Sequence, residues 1–78
     1  MSLQVGETFR ETFNEYDLSV IYHFKLEAEA RGQKRQFVKA IRRNYGGSPP
    51  MLVQDTVRKI IQLTDDEFDE LMDSIHIN

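Results

Sequence analysis

The spacing of apolar residues near the C-terminus predicts the clearest helix of the chain. Thr64 and Glu67 have the pattern of a capping box, in which each side chain bonds the backbone N–H of the other residue. Acidic residues fill the first turn, where the helix dipole favours negative charge. The apolar positions that follow share one stripe: Phe68, Leu71, Met72 and Ile75. The pattern predicts a helix from about residue 65 to 75.

A second helix is predicted just before it. Ser48 is a favourable N-cap, and Pro49 suits the first helical position, where a missing N–H costs nothing. Apolar residues then recur at helical spacing: Val53, Val57, Ile60 and Ile61. We therefore expect a helix from about 50 to 62, followed by a sharp turn at Leu63 and Thr64.

Residues 31 to 45 form a third predicted helix, whose two faces differ in charge. Its apolar residues share one face: Phe37, Ala40, Ile41 and Tyr45. The opposite side, hereafter the basic face, carries Arg31, Arg35, Lys39, Arg42 and Arg43. Gly46 tolerates the left-handed conformation in which many helices end. Residues 46 to 50 are therefore predicted to be a corner between two helices.

The N-terminal third fits two patterns. As a helix, it places an aromatic stripe on one side, made of Phe9, Phe13, Tyr16, Val20 and Phe24. As a strand, residues 18 to 30 alternate apolar and polar positions, with Ile21 alone out of phase. A hairpin would pair this strand with residues 3 to 13, but the connection Asn-Glu-Tyr-Asp holds no glycine and no favoured turn dipeptide. One long helix from about 7 to 31 is favoured, and the hairpin is the alternative.

These elements predict a single all-α domain over residues 1–78, a small bundle of about four helices. The alternative is an α+β domain in which a hairpin of residues 3–28 packs on three helices. Residues 1–6 are expected to be disordered or an expression leader. A chain this short buries only about 60–65% of its unfolded surface. The aromatic stripe must therefore be enclosed by the chain's own bundle or by another chain, and we expect a homo-oligomer built on it.

Composition narrows the class of protein. The chain has 78 residues, 40% of them hydrophobic, and no cysteine, which predicts a folded domain without disulfide or thiol chemistry. No run of 18 apolar residues occurs, so no membrane span is expected. The start MSLQVGE lacks the basic and apolar parts of a signal peptide. We therefore expect a cytoplasmic protein.

The formal net charge of −3 conceals a strong segregation of charge along the chain. Six of the ten basic residues lie between residues 31 and 43, with no acid among them. Six acids follow near the C-terminus, with no lysine or arginine among them: Asp65, Asp66, Glu67, Asp69, Glu70 and Asp73. The basic face is then a solvated surface, a partner of these acids or of an acidic protein, or a site for DNA or RNA phosphates. The negative net charge weighs against nucleic acid.

The sequence offers no recognisable catalytic or metal-binding pattern. It has no Ser/His/Asp arrangement at a familiar spacing, no cysteine nucleophile and no dinucleotide fingerprint. The acidic run lacks the order of a calcium-binding loop. His23 and Glu27 stand one helical turn apart, but two ligands do not make a metal site. We therefore expect no enzyme activity, no cofactor and no bound metal.

Three features of residues 27–75 are shared with a known family: the lead-in EAEARG, an amphipathic helix ending in RRNYG, and an Ile-x-x-Leu step into a Leu-Thr-acid-acid helix. In these features the chain resembles a small helical domain of unknown function that follows the nuclease domain in recombination-promoting, transposase-like nuclease proteins. The chain departs from it by a longer segment after Gly46, by its own N-terminal region and by having no nuclease domain. The resemblance implies a helical accessory module and assigns no catalytic residue.

The sequence as a whole predicts a non-enzymatic protein-interaction or regulatory module that self-associates. Its partner-facing surface is the basic face, which would meet an acidic protein surface. The alternative is a small nucleic-acid-binding regulator that places the same face against phosphates.

Overall fold

A computed structural model describes residues 3–27 and 33–77 of the chain. The described residues form two short strands and five helices in the order β1 (Leu3–Gln4), α1 (Glu7–Arg10), α2 (Glu15–Leu26), α3 (Lys34–Asn44), α4 (Met51–Ile61), α5 (Asp65–Ser74) and β2 (His76–Ile77). The fold class is confirmed, since the domain is a small helical bundle with one minor sheet. The three helices predicted after residue 31 are found within a few residues of their expected bounds.

The predicted single helix from 7 to 31 is wrong, because a non-helical segment, residues 11–14, separates α1 from α2. Asn14 is the N-cap of α2, and its side chain accepts a hydrogen bond from the Asp17 N–H at 2.8 Å. The Asp17 carboxylate accepts one from the Asn14 N–H at 3.0 Å, which completes a capping box. Asparagine and aspartate bond well at a helix start and poorly inside a helix, so a new helix begins here. Residues 28–31 of the predicted helix lie outside the described residues.

The hairpin of residues 3–28 does not form, since Glu15–Leu26 is helical. The strand β1 pairs instead with β2 from the other end of the chain, antiparallel, with Leu3 opposite Ile77. Residues 3 to 6, part of the segment expected to be disordered or a leader, contact the bundle. Val5 is buried, and the Gly6 N–H donates to Ser74 Oγ at 3.3 Å. Residues 1 and 2 lie outside the described part.

Edge-to-face phenylalanine contacts connect three helices in the core. Phe37 of α3 lies between Phe24 of α2 and Phe68 of α5, with ring centroids 6.4 and 5.3 Å apart. Four members of the aromatic stripe are buried in this single chain: Phe9, Phe13, Val20 and Phe24. Tyr16 is 40% exposed. The chain therefore covers most of its own stripe, and the stripe no longer supports a homo-oligomer.

A buried carboxylate joins α2 to α4. Asp17 is only 2% exposed, and its oxygens accept hydrogen bonds from the Thr56 hydroxyl at 2.5 Å and from Lys59 Nζ. Thr56 is fully buried, and the Lys59 side chain is 31% exposed. Together with the Asn14 N–H, these donors satisfy the charge that burial would otherwise make unfavourable. One side chain therefore caps α2 and fixes the position of α4 against it.

We expect Asp17→Ala to lower the free energy of unfolding by about 3 kcal/mol, measured by urea denaturation. The change leaves the Lys59 ammonium without its anion and the Thr56 hydroxyl without its acceptor. Asp55→Ala is the matched control, because Asp55 also pairs with a cation of α4 but its side chain is 43% exposed. That variant should change stability by about 0.5 kcal/mol or less. Equal losses in the two variants would contradict the role given to Asp17.

Candidate functional site

The helix α3 carries the basic face and ends at the predicted corner. Tyr45 is its C-cap, and Gly46 and Gly47 follow with positive φ angles of 64° and 86°. The Gly47 N–H donates to the Arg42 carbonyl at 2.9 Å, which closes the last turn of the helix. Glycine is favoured at both positions because side chains with a Cβ rarely adopt this backbone conformation. The chain then turns through residues 48–50 into α4.

The structure places four members of the basic face on the solvent side of α3. Arg35, Lys39, Arg42 and Arg43 are all exposed, whereas Arg31 lies outside the described residues. The other side of the helix buries Phe37, Val38 and Ile41. None of the four cations has an acidic group within 4.0 Å anywhere in residues 3–27 and 33–77. Their charge is therefore available to an external partner.

Two lysines on the bundle have structural contacts instead. Lys34 Nζ, at the start of α3, donates to the carbonyl of Ile61, the last residue of α4, at 3.2 Å and to the carbonyl of Leu63, in the turn after α4, at 2.5 Å. Lys25 Nζ of α2 donates to the carbonyls of Met72 at 2.5 Å and Ile75 at 3.2 Å, at the end of α5. Cations bind well there because the last carbonyls of a helix lack intrahelical donors. Lys34 therefore belongs to the fold and not to the basic face.

The acidic residues of α5 form a second exposed surface, hereafter the acidic helix: Asp65, Asp66, Glu67, Asp69, Glu70 and Asp73. Glu67 also accepts the Thr64 N–H at 2.8 Å, so the predicted capping box is confirmed. The two charged surfaces approach each other at one point. Arg35 lines a cleft of about 260 Å³ together with Asp65 and Asp69. No ion pair within 4.0 Å joins α3 to α5 among the described residues.

The corner between α3 and α4 holds a cavity that sequence reasoning did not find. Its volume is about 340 Å³, and its lining consists of Arg42, Gly47, Ser48, Pro49, Gln54, Val57 and Arg58. Arg42 and Arg58 are 16 positions apart in the sequence, so no local spacing links them. They meet at one cavity because the corner folds α4 back along α3.

The other candidate residues do not come together. His23 Nε2 and Glu27 Oε1 are 3.7 Å apart, and both side chains are more than half exposed. No cluster of three or more histidine, cysteine or acidic side chains suited to a metal occurs within the described ranges. None of the helices in residues 3–27 and 33–77 has the length and apolar character needed to cross a membrane.

No family model, curated protein or solved structure matches the chain. The resemblance of residues 27–75 to the accessory domain of transposase-like nucleases thus stays a prediction.

We expect Lys34→Met and Lys39→Met to differ in stability although both change one lysine of α3. Loss of Lys34 removes the donor to two carbonyls at and just after the end of α4 and should lower the free energy of unfolding by about 1 kcal/mol. Loss of the exposed Lys39 should change it by about 0.5 kcal/mol or less. Urea denaturation measures both. A larger loss for Lys39 would mean that the basic face stabilises the fold.

Proposed function

We propose that this protein is a non-enzymatic interaction module that self-associates through opposite charges. The basic face of one copy contacts the acidic helix of a second copy. The observation that carries the proposal is the exposure of both surfaces together with the lack of ion pairs between them in the described part of one chain. The cytoplasm is its proposed location, because a chain without cysteine fits a reducing compartment.

The charge pattern favours contact between two copies over contact within one. On α3, Lys39 and Arg43 stand one turn apart on the side opposite the buried residues. On α5, Asp66 and Glu70 have the same spacing, also opposite the buried Phe68 and Leu71. Both pairs point away from their own core, so a second molecule is needed to bring them together. Complementary potentials of this kind steer association and fix its register.

This contact is expected to be weak and sensitive to salt. Each exposed pair contributes about 0.2–1 kcal/mol, and mobile ions screen it. The contact joins two different surfaces of the same chain, so it is heterologous and allows growth beyond a dimer. Self-association of this kind replaces the one expected from the aromatic stripe, whose members are mostly buried within the chain.

An acidic protein would bind the same basic face in place of a second copy. In that case the chain is a regulatory module that acts on another protein.

Nucleic acid is a less favoured partner of the basic face, for a reason of geometry. Asp65 and Asp69 share a cleft with Arg35, so a phosphate chain following α3 past Arg35 would approach two carboxylates. Their repulsion opposes the counterion release that drives such binding.

Two neutralised variants test the proposal. Lys39→Gln/Arg43→Gln neutralises two of the five charges of the basic face, and Asp66→Asn/Glu70→Gln neutralises two of the six charges of the acidic helix. Each variant alone should self-associate about tenfold more weakly than the natural chain or worse, because two pairs of up to about 1 kcal/mol are lost. An equal mixture should form dimers with the original affinity and grow no further, since only one intact contact remains. Sedimentation at several protein and salt concentrations measures these species.

The test also includes a matched control variant and a titration with nucleic acid. Glu7→Gln/Glu11→Gln neutralises two exposed acids near α1 and should leave association unchanged. A natural chain that stays monomeric at high concentration and low salt would overturn self-association. Labelled duplex DNA and RNA are titrated in parallel at low salt. Tight binding lost only in Lys39→Gln/Arg43→Gln would replace the proposal with nucleic-acid binding.

A further inference from the structure

The cavity at the corner of α3 and α4 brings together hydrogen-bond donors from three segments. Arg42 comes from the last turn of α3, Ser48 from the corner and Arg58 from α4. The lining residues include no carboxylate. The cavity therefore combines positive charge with a hydroxyl group in a concave site.

Several of these donors are unused. Neither the Arg42 guanidinium nor the Ser48 hydroxyl makes a hydrogen bond or ion pair with any residue in the described ranges. Arg58 uses one nitrogen, Nη1, on Asp55 Oδ1 at 2.7 Å, which leaves its other N–H groups available. An arginine has five N–H donors, so most of the donors at this site remain open.

Hydrogen bonds to backbone carbonyls hold the walls of the cavity in place. The Ser48 N–H donates to the Tyr45 carbonyl at 3.2 Å, and the Gly47 N–H donates to the backbone carbonyl of Arg42 at 2.9 Å. Gln54 Nε2 donates to the Pro49 carbonyl at 2.9 Å, which ties α4 to the corner. The site is therefore largely preformed, and binding would not have to order the loop first.

We propose that this cavity binds a phosphate group of a small phosphorylated molecule. Asp55 offsets one of the two arginine charges, so the local balance is one positive charge, which suits an oxyanion. Phosphate has several oxygens in a tetrahedral arrangement and takes donors from different directions, as Arg42, Ser48 and Arg58 are placed. A carboxylate has two oxygens in one plane, and a single guanidinium satisfies it. The ligand is free phosphate or a phosphate ester, which share this chemistry.

The inference goes beyond the proposed self-association and is tested separately. Arg42 belongs to both the basic face and the cavity, but Lys39 and Arg43, which are changed in the association test, do not line the cavity. Failure of one proposal therefore leaves the other standing, and the two experiments use different variants and different readouts.

The test is a titration followed by amide chemical shifts at constant ionic strength. The probes are inorganic phosphate, adenosine monophosphate and acetate. Phosphate should give saturable shifts confined to the corner and the facing turn of α4, around Ser48 and Gln54. Arg42→Met should weaken binding by about tenfold or more, because it removes an ionised donor, and Ser48→Ala by a smaller factor. Arg10→Met, which removes an exposed cation of α1 outside both the cavity and the basic face, should bind phosphate like the natural chain.

The relative affinities of the three probes identify the ligand. Tighter binding of adenosine monophosphate than of phosphate supports the site and identifies an ester as the ligand, and the reverse identifies free phosphate. Acetate binding as tightly as phosphate would overturn the proposal in favour of a carboxylate site. Shifts that do not saturate, or that extend equally to Lys39, would also overturn it. Arg58→Lys, which keeps the charge but loses the guanidinium, should also weaken binding, because the proposed site uses both arginines.

Discussion

The packing of α2 against α4 depends on one buried carboxylate. Asp17 is 2% exposed and satisfied by the Asn14 N–H, the Thr56 hydroxyl and the Lys59 ammonium. A buried charge with fewer donors would be strongly unfavourable, so α2 and α4 have to meet where all three donors reach it. The helix α3 joins α4 through the glycine corner and packs on α2 and α5 through Phe37. The basic face and the corner cavity are thus presented by a scaffold in which Asp17 joins α2 to α4 and the apolar core joins the other helices.

Seven of the nine lysines and arginines in the described residues fall into two groups by their contacts, and Arg10 and Arg58 belong to neither. Lys25, Lys34 and Lys59 are used inside the fold, two of them on helix-terminal carbonyls and one on Asp17. The long lysine side chain suits this use, because its stem packs on apolar surface while its ammonium reaches a carbonyl. The four described cations of the basic face have no such contact and keep their charge exposed: Arg35, Lys39, Arg42 and Arg43. This division is the physical basis for assigning interaction, and not stability, to the basic face.

The helices after residue 31 could be predicted because their signals are local. The Thr64/Glu67 capping box and the glycine corner each lie within a few residues of the element they end or begin. The break at Asn14 was missed although its signal is also local, since Asn-x-x-Asp caps a helix as Ser/Thr-x-x-Glu does. The aromatic stripe continued across the break and concealed it. The Asp17–Lys59 contact, the pairing of β1 with β2 and the corner cavity join residues far apart in the chain. The spacing of residues within one helix or strand carries no information on such contacts, so they are seen only in the folded structure.

The dependence of the scaffold on Asp17 is tested most directly by a double-mutant cycle with Lys59. Asp17→Asn, Lys59→Met and the double variant keep side-chain size nearly constant, and their free energies of unfolding give the coupling between the two residues. We predict a coupling of about 1–3 kcal/mol, with the double variant more stable than the sum of the single losses implies, because each single change leaves an unpaired polar group. A coupling indistinguishable from zero would contradict the account.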